Sequence, residues 1–309
     1  MRSLDRPAVR CVFSGQTVNL TPDVPLSQTS VWRAVVRVLR SPADSLSCAL
    51  FPSPCALCGG SLLRFSRVPI CNFCCTQLPP QSGILCACCG EDLGIAQFSP
   101  LPTDDLDPQL CQPCRLAPPA FVKAVAYGGY HGELRSLVHL LKYQGMQPVA
   151  RRLGVLLAHS VEAFVGSAAE MLVIPVPMHT AKERLRSFNH AELLARTAVA
   201  EMRQRHPQWG LHLETGLLKR VRITVSQAGL TTHQRRQNLR GAFFAPRSAR
   251  LAGRDVLLVD DIYTTVATVR ACSRVLMNAG ARSVRVATVA RAQREGVAMW
   301  DSGFLRTVN

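Results

Sequence analysis

The sequence predicts an α/β fold, a parallel sheet flanked by helices, with a cysteine-rich metal-binding module ahead of it. After residue 120, apolar segments of strand length alternate with segments of helical period, the order that builds a parallel sheet covered on both faces. Val256–Val259 is wholly apolar, as a strand buried on both faces must be. Upstream, four Cys-x-x-Cys pairs, Cys55/Cys58, Cys71/Cys74, Cys86/Cys89 and Cys111/Cys114, fall within one window of about sixty residues.

Taken in order, residues 1 to about 28 have no apolar periodicity and read as a flexible tail. Val31–Leu39 can form a short amphipathic helix, so 1–47 is a tail plus helix, 48–119 the cysteine module and 120–309 the sheet domain. Phe121–Tyr127 reads as a strand. Gly132–Tyr143 reads as a helix because Leu134, Leu137, Val138 and Leu141 share one face. A second helix covers Pro148 to about Val165, followed by a buried strand, Met171–Val176, a basic loop and a helix from about His190 to Arg205. Leu211–Leu217 is a further strand, and 219–250 is basic and weakly patterned. Asp255–Val259 is a strand running into two acids. A helix follows from about Thr268 to Asn278, stopped by Gly280, and Val284–Val289 returns as a strand.

The cysteine spacing is that of zinc knuckles. Two thiolates three positions apart can face one ion from a tight turn, and two such turns complete a tetrahedral shell, so four predict two structural Zn²⁺ sites. A disulfide framework is disfavoured because no apolar signal segment follows the N-terminus and a chain of 309 residues needs no covalent staples. The same reasoning predicts a cytoplasmic protein. Sequential pairing, 55/58 with 71/74 and 86/89 with 111/114, is simplest; a crossed pairing meets the same count, and Cys75 or Cys88 could replace a neighbour by a register slip. Cys11, Cys48 and Cys272 read as ordinary residues, the last on an apolar helix face. The window is rich in turn formers and poor in long aliphatic runs, so its folding should depend on metal.

The net charge of +16 is unevenly distributed. Residues 120–309 hold 27 basic and 12 acidic side chains, whereas 48–119 hold three arginines and five acids. Any polyanion should therefore bind the C-terminal domain. Only four of the 36 basic residues are lysine, a bias a GC-rich genome also produces, so charge alone permits nucleic-acid binding without specifying it. No apolar stretch can span a bilayer; Leu153–Val165 is broken by His159 and Glu162.

The most specific feature outside the cysteines runs from Val256 to Thr268: a strand, the adjacent carboxylates Asp260 and Asp261, a hydroxyl loop with Thr264 and Thr265, and a helix start. Loop and helix N-terminal N–H groups can hold a phosphate, with threonine hydroxyls as added donors. Two carboxylates at a strand end can accept ribose hydroxyls or steady a Mg²⁺. Lys142 is either a second phosphate contact or a helix residue extending its stem along the surface. His139, His179 and His190 read as surface or packing histidines, and no nucleophile is paired with a base.

This stretch resembles the binding loop of type I phosphoribosyltransferases. Val176-Pro177-Met178, Arg184 and Arg186-Ser187-Phe188-Asn189-His190 resemble a further block of that family, as do Lys142-Tyr143, Thr224 with Ser226-Gln227, and Arg235 through Asn238 to Phe243. With the upstream knuckles, residues about 48 to 292 are similar to the ComF family, a zinc finger joined to a phosphoribosyltransferase-like domain. The resemblance implies that Asp260 and Asp261 take the ribose hydroxyls and that Thr264, Thr265, Val266, Ala267 and Thr268 take the 5′-phosphate of phosphoribosyl pyrophosphate with Mg²⁺. It places Arg184, Arg186, Asn189 and Lys142 on the pyrophosphate side. It also implies a role in competence, the uptake and processing of DNA, with competence or DNA-processing proteins as partners and phosphoribosyl transfer as the activity.

Three residues depart from the family pattern: Val266 and Ser187 stand where the family has Gly, and His190 where it has Gln. A β-branched residue at a position needing φ > 0 weakens phosphate binding, so Val266 counts against transferase activity. The alternative is an adaptor that binds protein, or single-stranded DNA through its basic surface. With 6% aromatic residues it has few stacking platforms, so DNA binding would be electrostatic.

Overall fold

The central strand of the fold is β8 (Asp255–Tyr263), and everything that positions the site is arranged around it. The chain was described from a computed structural model; it covers residues 12–13, 16–17, 54–62, 68, 70–94, 109–165, 170–222, 239–263 and 267–292. β3 (Lys123–Gly129), β9 (Ser283–Arg291), β8, β4 (Glu170–Pro175) and β5 (Gly210–Leu213) form one five-stranded sheet in the order β3-β9-β8-β4-β5. Every pairing in it is parallel, as the alternating order predicts.

β8 is apolar because both of its faces are covered. Val256 and Leu258 belong to a buried cluster with Cys272 and Leu276 of α7 (Ala267–Asn278). Leu257 and Val259 alternate to the opposite face, where α4 (Pro148–Glu162) and α6 (His190–Arg205) pack on the sheet and on each other. Gly154 lets these two helices approach: a Cβ there would lie 2.5 Å from Thr197 Cβ. α3 (Gly132–Tyr143) buries Leu134, Leu137, Val138, Leu140 and Leu141, the predicted face and one residue more.

The cysteine module covers the open edge of β3. Gln81 N donates to Tyr127 O at 2.5 Å, Ala124 N to Cys88 O at 2.7 Å and Tyr127 Oη to Leu78 O at 2.8 Å. Gly90 permits this contact twice over, adopting φ +67° and leaving room where a Cβ would lie 2.9 Å from Ala124 O. Within the module, α1 (Asn72–Thr76) and α2 (Gln112–Leu116) are single short turns. By contact density the chain divides into Pro54–Gly60 with Ser66–Asn309, and Met1–Ser53 with Ser61–Phe65.

Five expectations need correction. A two-residue antiparallel ladder, β1 (Val12–Phe13) with β2 (Gln16–Thr17), lies in the stretch read as tail; β-branched and aromatic residues favour it. β5 stops at Leu213, four residues early: Glu214 N still donates to Val173 O, but the next donor on β4 would be Pro175, which has no N–H. β8 runs four residues past Val259, because β9 pairs with it as far as Tyr263↔Arg291. The basic loop contains α5 (Thr180–Arg186), capped by His179 Nδ1, which accepts from Ala181 N at 3.2 Å. In the basic stretch, β6 (Lys219–Arg220) pairs with β7 (Phe243–Phe244). The helix at Val31–Leu39, and Thr224, Ser226, Gln227, Arg235 and Asn238, lie outside the described residues.

Candidate active site and metal centres

The cysteine module holds two copies of one unit. In the first, Gly59 N donates to Cys55 O at 2.9 Å and Cys55 N to Gly60 O at 2.7 Å. In the second, Gly90 N donates to Cys86 O at 2.9 Å and Cys86 N to Glu91 O at 2.7 Å. The partner pair of each unit opens a short helix, with Cys71 and Cys111 as the preceding residues. Their N–H groups donate back to sulfur, Cys71 to Cys55 Sγ at 3.3 Å and Cys111 to Cys86 Sγ at 3.2 Å.

The result is two quartets, Cys55/Cys58/Cys71/Cys74 and Cys86/Cys89/Cys111/Cys114, each with its sulfurs within 4.8 Å of one another. A tetrahedral Zn²⁺ with Zn–S of about 2.3 Å sets sulfurs about 3.8 Å apart; Cys58–Cys71 measure 3.8 Å and Cys89–Cys111 3.6 Å. The donor set fits a metal ion, and the pairing is the sequential one. Cys75 and Cys88 stand outside the quartets, and every described cysteine is a free thiol. Cys272, on the inner face of α7, is fully buried, as expected of a packing residue.

The carboxylate pair lies in the C-terminal half of β8, between the strand's apolar run and the start of α7. Asp261 accepts from Lys142 Nζ at 2.9 Å and from Ile262 N at 2.6 Å, and Asp260 accepts from Asp261 N at 2.9 Å. Lys142 lies in the last turn of α3, which delivers its ammonium to Asp261. Burial alone would lower its pKa, but Asp261 and then Asp260 outweigh that and leave it above its ordinary value. Burial, reinforced by the neighbouring charge of Asp261, pushes the Asp260 carboxyl up to about 7, against the opposing pull of Lys142 and Arg220.

Around this pair, Arg186 places its guanidinium 5.3 Å from the centre of the exposed Tyr143 ring, and Arg184 is exposed. Asn189 is committed to the backbone: its Nδ2 donates to Val176 O at 3.1 Å and its Oδ1 accepts from Ala191 N at 3.1 Å, capping α6. His190 is 1% exposed with its ring edge-on to Phe188 at 4.9 Å, and burial pushes its pKa down to about 4, so it is a neutral packing residue. Ser187, which ends α5, has φ 65°. Ala267 is buried and Thr268 partly so in the first turn of α7, whereas Thr264, Thr265 and Val266 lie outside the described residues.

Arg220 is a basic residue sequence reasoning missed. The β6–β7 ladder holds it against the Phe243 ring at 5.3 Å, close enough for its charge to act on Asp260. It sits in a stretch with no periodic pattern, so only the pairing with β7 reveals it.

A family model for the phosphoribosyl transferase domain matches residues 212–309. Competence protein F of Haemophilus influenzae is 30% identical over 243 residues, 77% of this chain and 96% of that protein. The DNA utilization protein YhgH of Escherichia coli K12 is 29% identical over 238 residues, 76% of this chain and 95% of that protein. Among solved structures, the hypoxanthine-guanine phosphoribosyltransferase of Schistosoma mansoni in complex with IMP is 17% identical, covers 48% of this chain and 56% of its own, and has a TM-score of 0.27. Two cysteine quartets ahead of a parallel sheet, with this extent of identity, place the chain in the competence protein F family.

Proposed function

We propose that the chain binds a ligand of the phosphoribosyl pyrophosphate type at the C-terminal end of β8 and serves competence, the uptake and processing of DNA. The observation that carries this is the adjacent Asp260–Asp261 pair on the central strand, salt-bridged through Asp261 to Lys142 at 2.9 Å and followed four residues after the strand by a twelve-residue helix. Open α/β sheets bind ligands at the carboxyl ends of their central strands. The Haemophilus relative's name adds the competence role.

In this reading Asp260 and Asp261 accept the ribose hydroxyls. The threonines at 264, 265 and 268, with the N-terminal end of α7, hold the 5′-phosphate. Arg184, Arg186 and Lys142 face the pyrophosphate, while Asn189 shapes that side by holding the start of α6 to Val176. In phosphoribosyl transfer, positive charge grows on the ribose ring as its bond to pyrophosphate lengthens, and the carboxylates stabilise it. A Mg²⁺ fits two hard oxygen donors that leave most of its shell to phosphate and water, and would neutralise the leaving pyrophosphate. A Zn²⁺ in each quartet would supply folding free energy to the module.

Calorimetry with phosphoribosyl pyrophosphate and Mg²⁺ tests the reading on the native chain and on the Asp260→Asn/Asp261→Asn double variant. Saturable heat from the native chain, lost in the variant, supports it; equal heats from both contradict it. A second reading, a nucleic-acid adaptor, is favoured by the 27 basic side chains of residues 120–309 and by the name of the Escherichia relative. Fluorescence anisotropy with single-stranded DNA across a salt series should then show affinity falling steeply with ionic strength. Salt-independent binding contradicts it.

A further inference from the structure

The second quartet does not stand apart from the sheet. Cys86, Cys89, Cys111 and Cys114 belong to the same buried cluster as Val256 and Leu258 of β8 and Cys272 and Leu276 of α7. One side chain crosses from the sheet to a ligand sulfur. Arg291, the last residue of β9, is only 3% exposed. Its guanidinium donates to Cys89 O, to Cys89 Sγ at 3.7 Å and to the buried carboxylate of Glu91. The other face of that guanidinium lies 4.2 Å from the centre of the Tyr263 ring.

Tyr263 is the last residue of β8, register partner of Arg291, and the residue directly before 264–268. The backbone repeats the link: Ala292 N donates to Tyr263 O at 3.0 Å and Tyr130 N to Arg291 O at 2.7 Å. Arg291 therefore touches a cysteine of the quartet with its N–H groups and the end of β8, at Tyr263, with its flat face.

Glu91 balances the buried charge of Arg291, so the pair is neutral overall and persists in the interior. Four thiolates around a divalent cation carry a net charge of about −2. A guanidinium N–H directed at one of those sulfurs strengthens when the sulfur is a metal-held thiolate, the way outer partners orient and tune metal ligands. Drawing Arg291 toward Cys89 also fixes the surface on which Tyr263 rests.

We propose that Arg291 is a positioning residue that couples metal occupancy of the Cys86/Cys89/Cys111/Cys114 quartet to the order of the end of β8 at Tyr263. Coupling of this kind is reciprocal in free energy. The Cys55/Cys58/Cys71/Cys74 quartet, whose Cys58 is exposed, serves as the internal control.

The test uses the full, zinc-loaded chain and the variants Arg291→Lys, Arg291→Met and Glu91→Gln, with zinc transfer to a chromogenic chelator followed in time. Arg291→Met should speed the loss of one zinc equivalent about ten- to a hundredfold and leave the other unchanged, with Arg291→Lys intermediate. Hydrogen exchange of the backbone around 259–270 gives a ligand-free second readout. In the native chain, removing the second-quartet zinc should lower protection there, and in Arg291→Met protection should be low from the start. If Arg291→Met fails to fold, Arg291→Lys and Glu91→Gln carry the test, each expected to speed loss of that same equivalent. Native zinc-loss rates in every folded variant, or unchanged exchange at 259–270 after zinc removal, overturn the proposal. Phosphoribosyl pyrophosphate calorimetry is run in parallel: a native chain that does not bind it removes the site reading, while zinc loss and exchange still decide the role of Arg291.

Discussion

Ser187 is, among the described residues, the one non-glycine side chain in the left-handed region. Its φ of 65° costs about 1 to 2 kcal/mol relative to glycine. Ser187→Gly should raise the unfolding free energy by about 1 kcal/mol in denaturant titrations, and Ser187→Val should lower it. Equal stability for all three residues would contradict a turn at this position. At Asp260 the carboxyl titrates near 7 in the folded chain and near 4 once unfolded. Between those values the folded state binds more protons, so this group's contribution to stability falls as pH rises from about 4 to about 7. Asp260→Asn removes that loss. Its melting temperature should exceed the native one at pH 8 and converge on it toward pH 4; parallel curves would contradict the burial of this carboxyl. Residue types and spacing singled out the pair and, separately, Lys142 as candidates, but not the ion pair between them, because Lys142 is more than a hundred residues away and only the fold brings it to Asp261.

Among the elements, α3 and α6 match the residue ranges read from their periodicity, since their buried faces repeat without interruption. The strand ends were less legible, because a strand continues as far as its neighbour pairs with it. β9 carries β8 through two acids to Tyr263, and β4 releases β5 at Leu213. α5 was missed because its seven residues are too few for a helical period to register, and β6–β7 because a two-residue ladder leaves no pattern. At Gly154 the α4–α6 contact leaves no room for a Cβ. Gly154→Ala should destabilise the chain by about 1 to 3 kcal/mol in chemical denaturation, because the added Cβ meets Thr197 Cβ, which rotation about χ1 does not move. The compensating Thr197→Ser variant should recover part of that loss, and a neutral Gly154→Ala would show that the helices are further apart.

For the molecule as a whole, the cysteine module both carries two four-thiol quartets that fit metal ions and covers an open sheet edge. Gln81 and Cys88 take up the peptide groups of β3 that no strand pairs. The sequence made the quartets plain, because Cys-x-x-Cys spacing is a local property. It left their docking on β3 and the buried Arg291 invisible, because those depend on contacts across some two hundred residues. Stripping the metal with a chelator should abolish protease resistance between 54 and 116 while the helical signal of the sheet domain persists; a protease-resistant module after complete metal removal would contradict metal-dependent folding. The central claim is that the segment between β8 and α7 holds the terminal phosphate of a pentose. Crystals of the full chain soaked with ribose 5-phosphate test it most directly. The account predicts the phosphate on the backbone N–H groups of 264–268 and the ribose hydroxyls on Asp260 and Asp261. No phosphate at 264–268, with both aspartates turned away from the sugar, would contradict it.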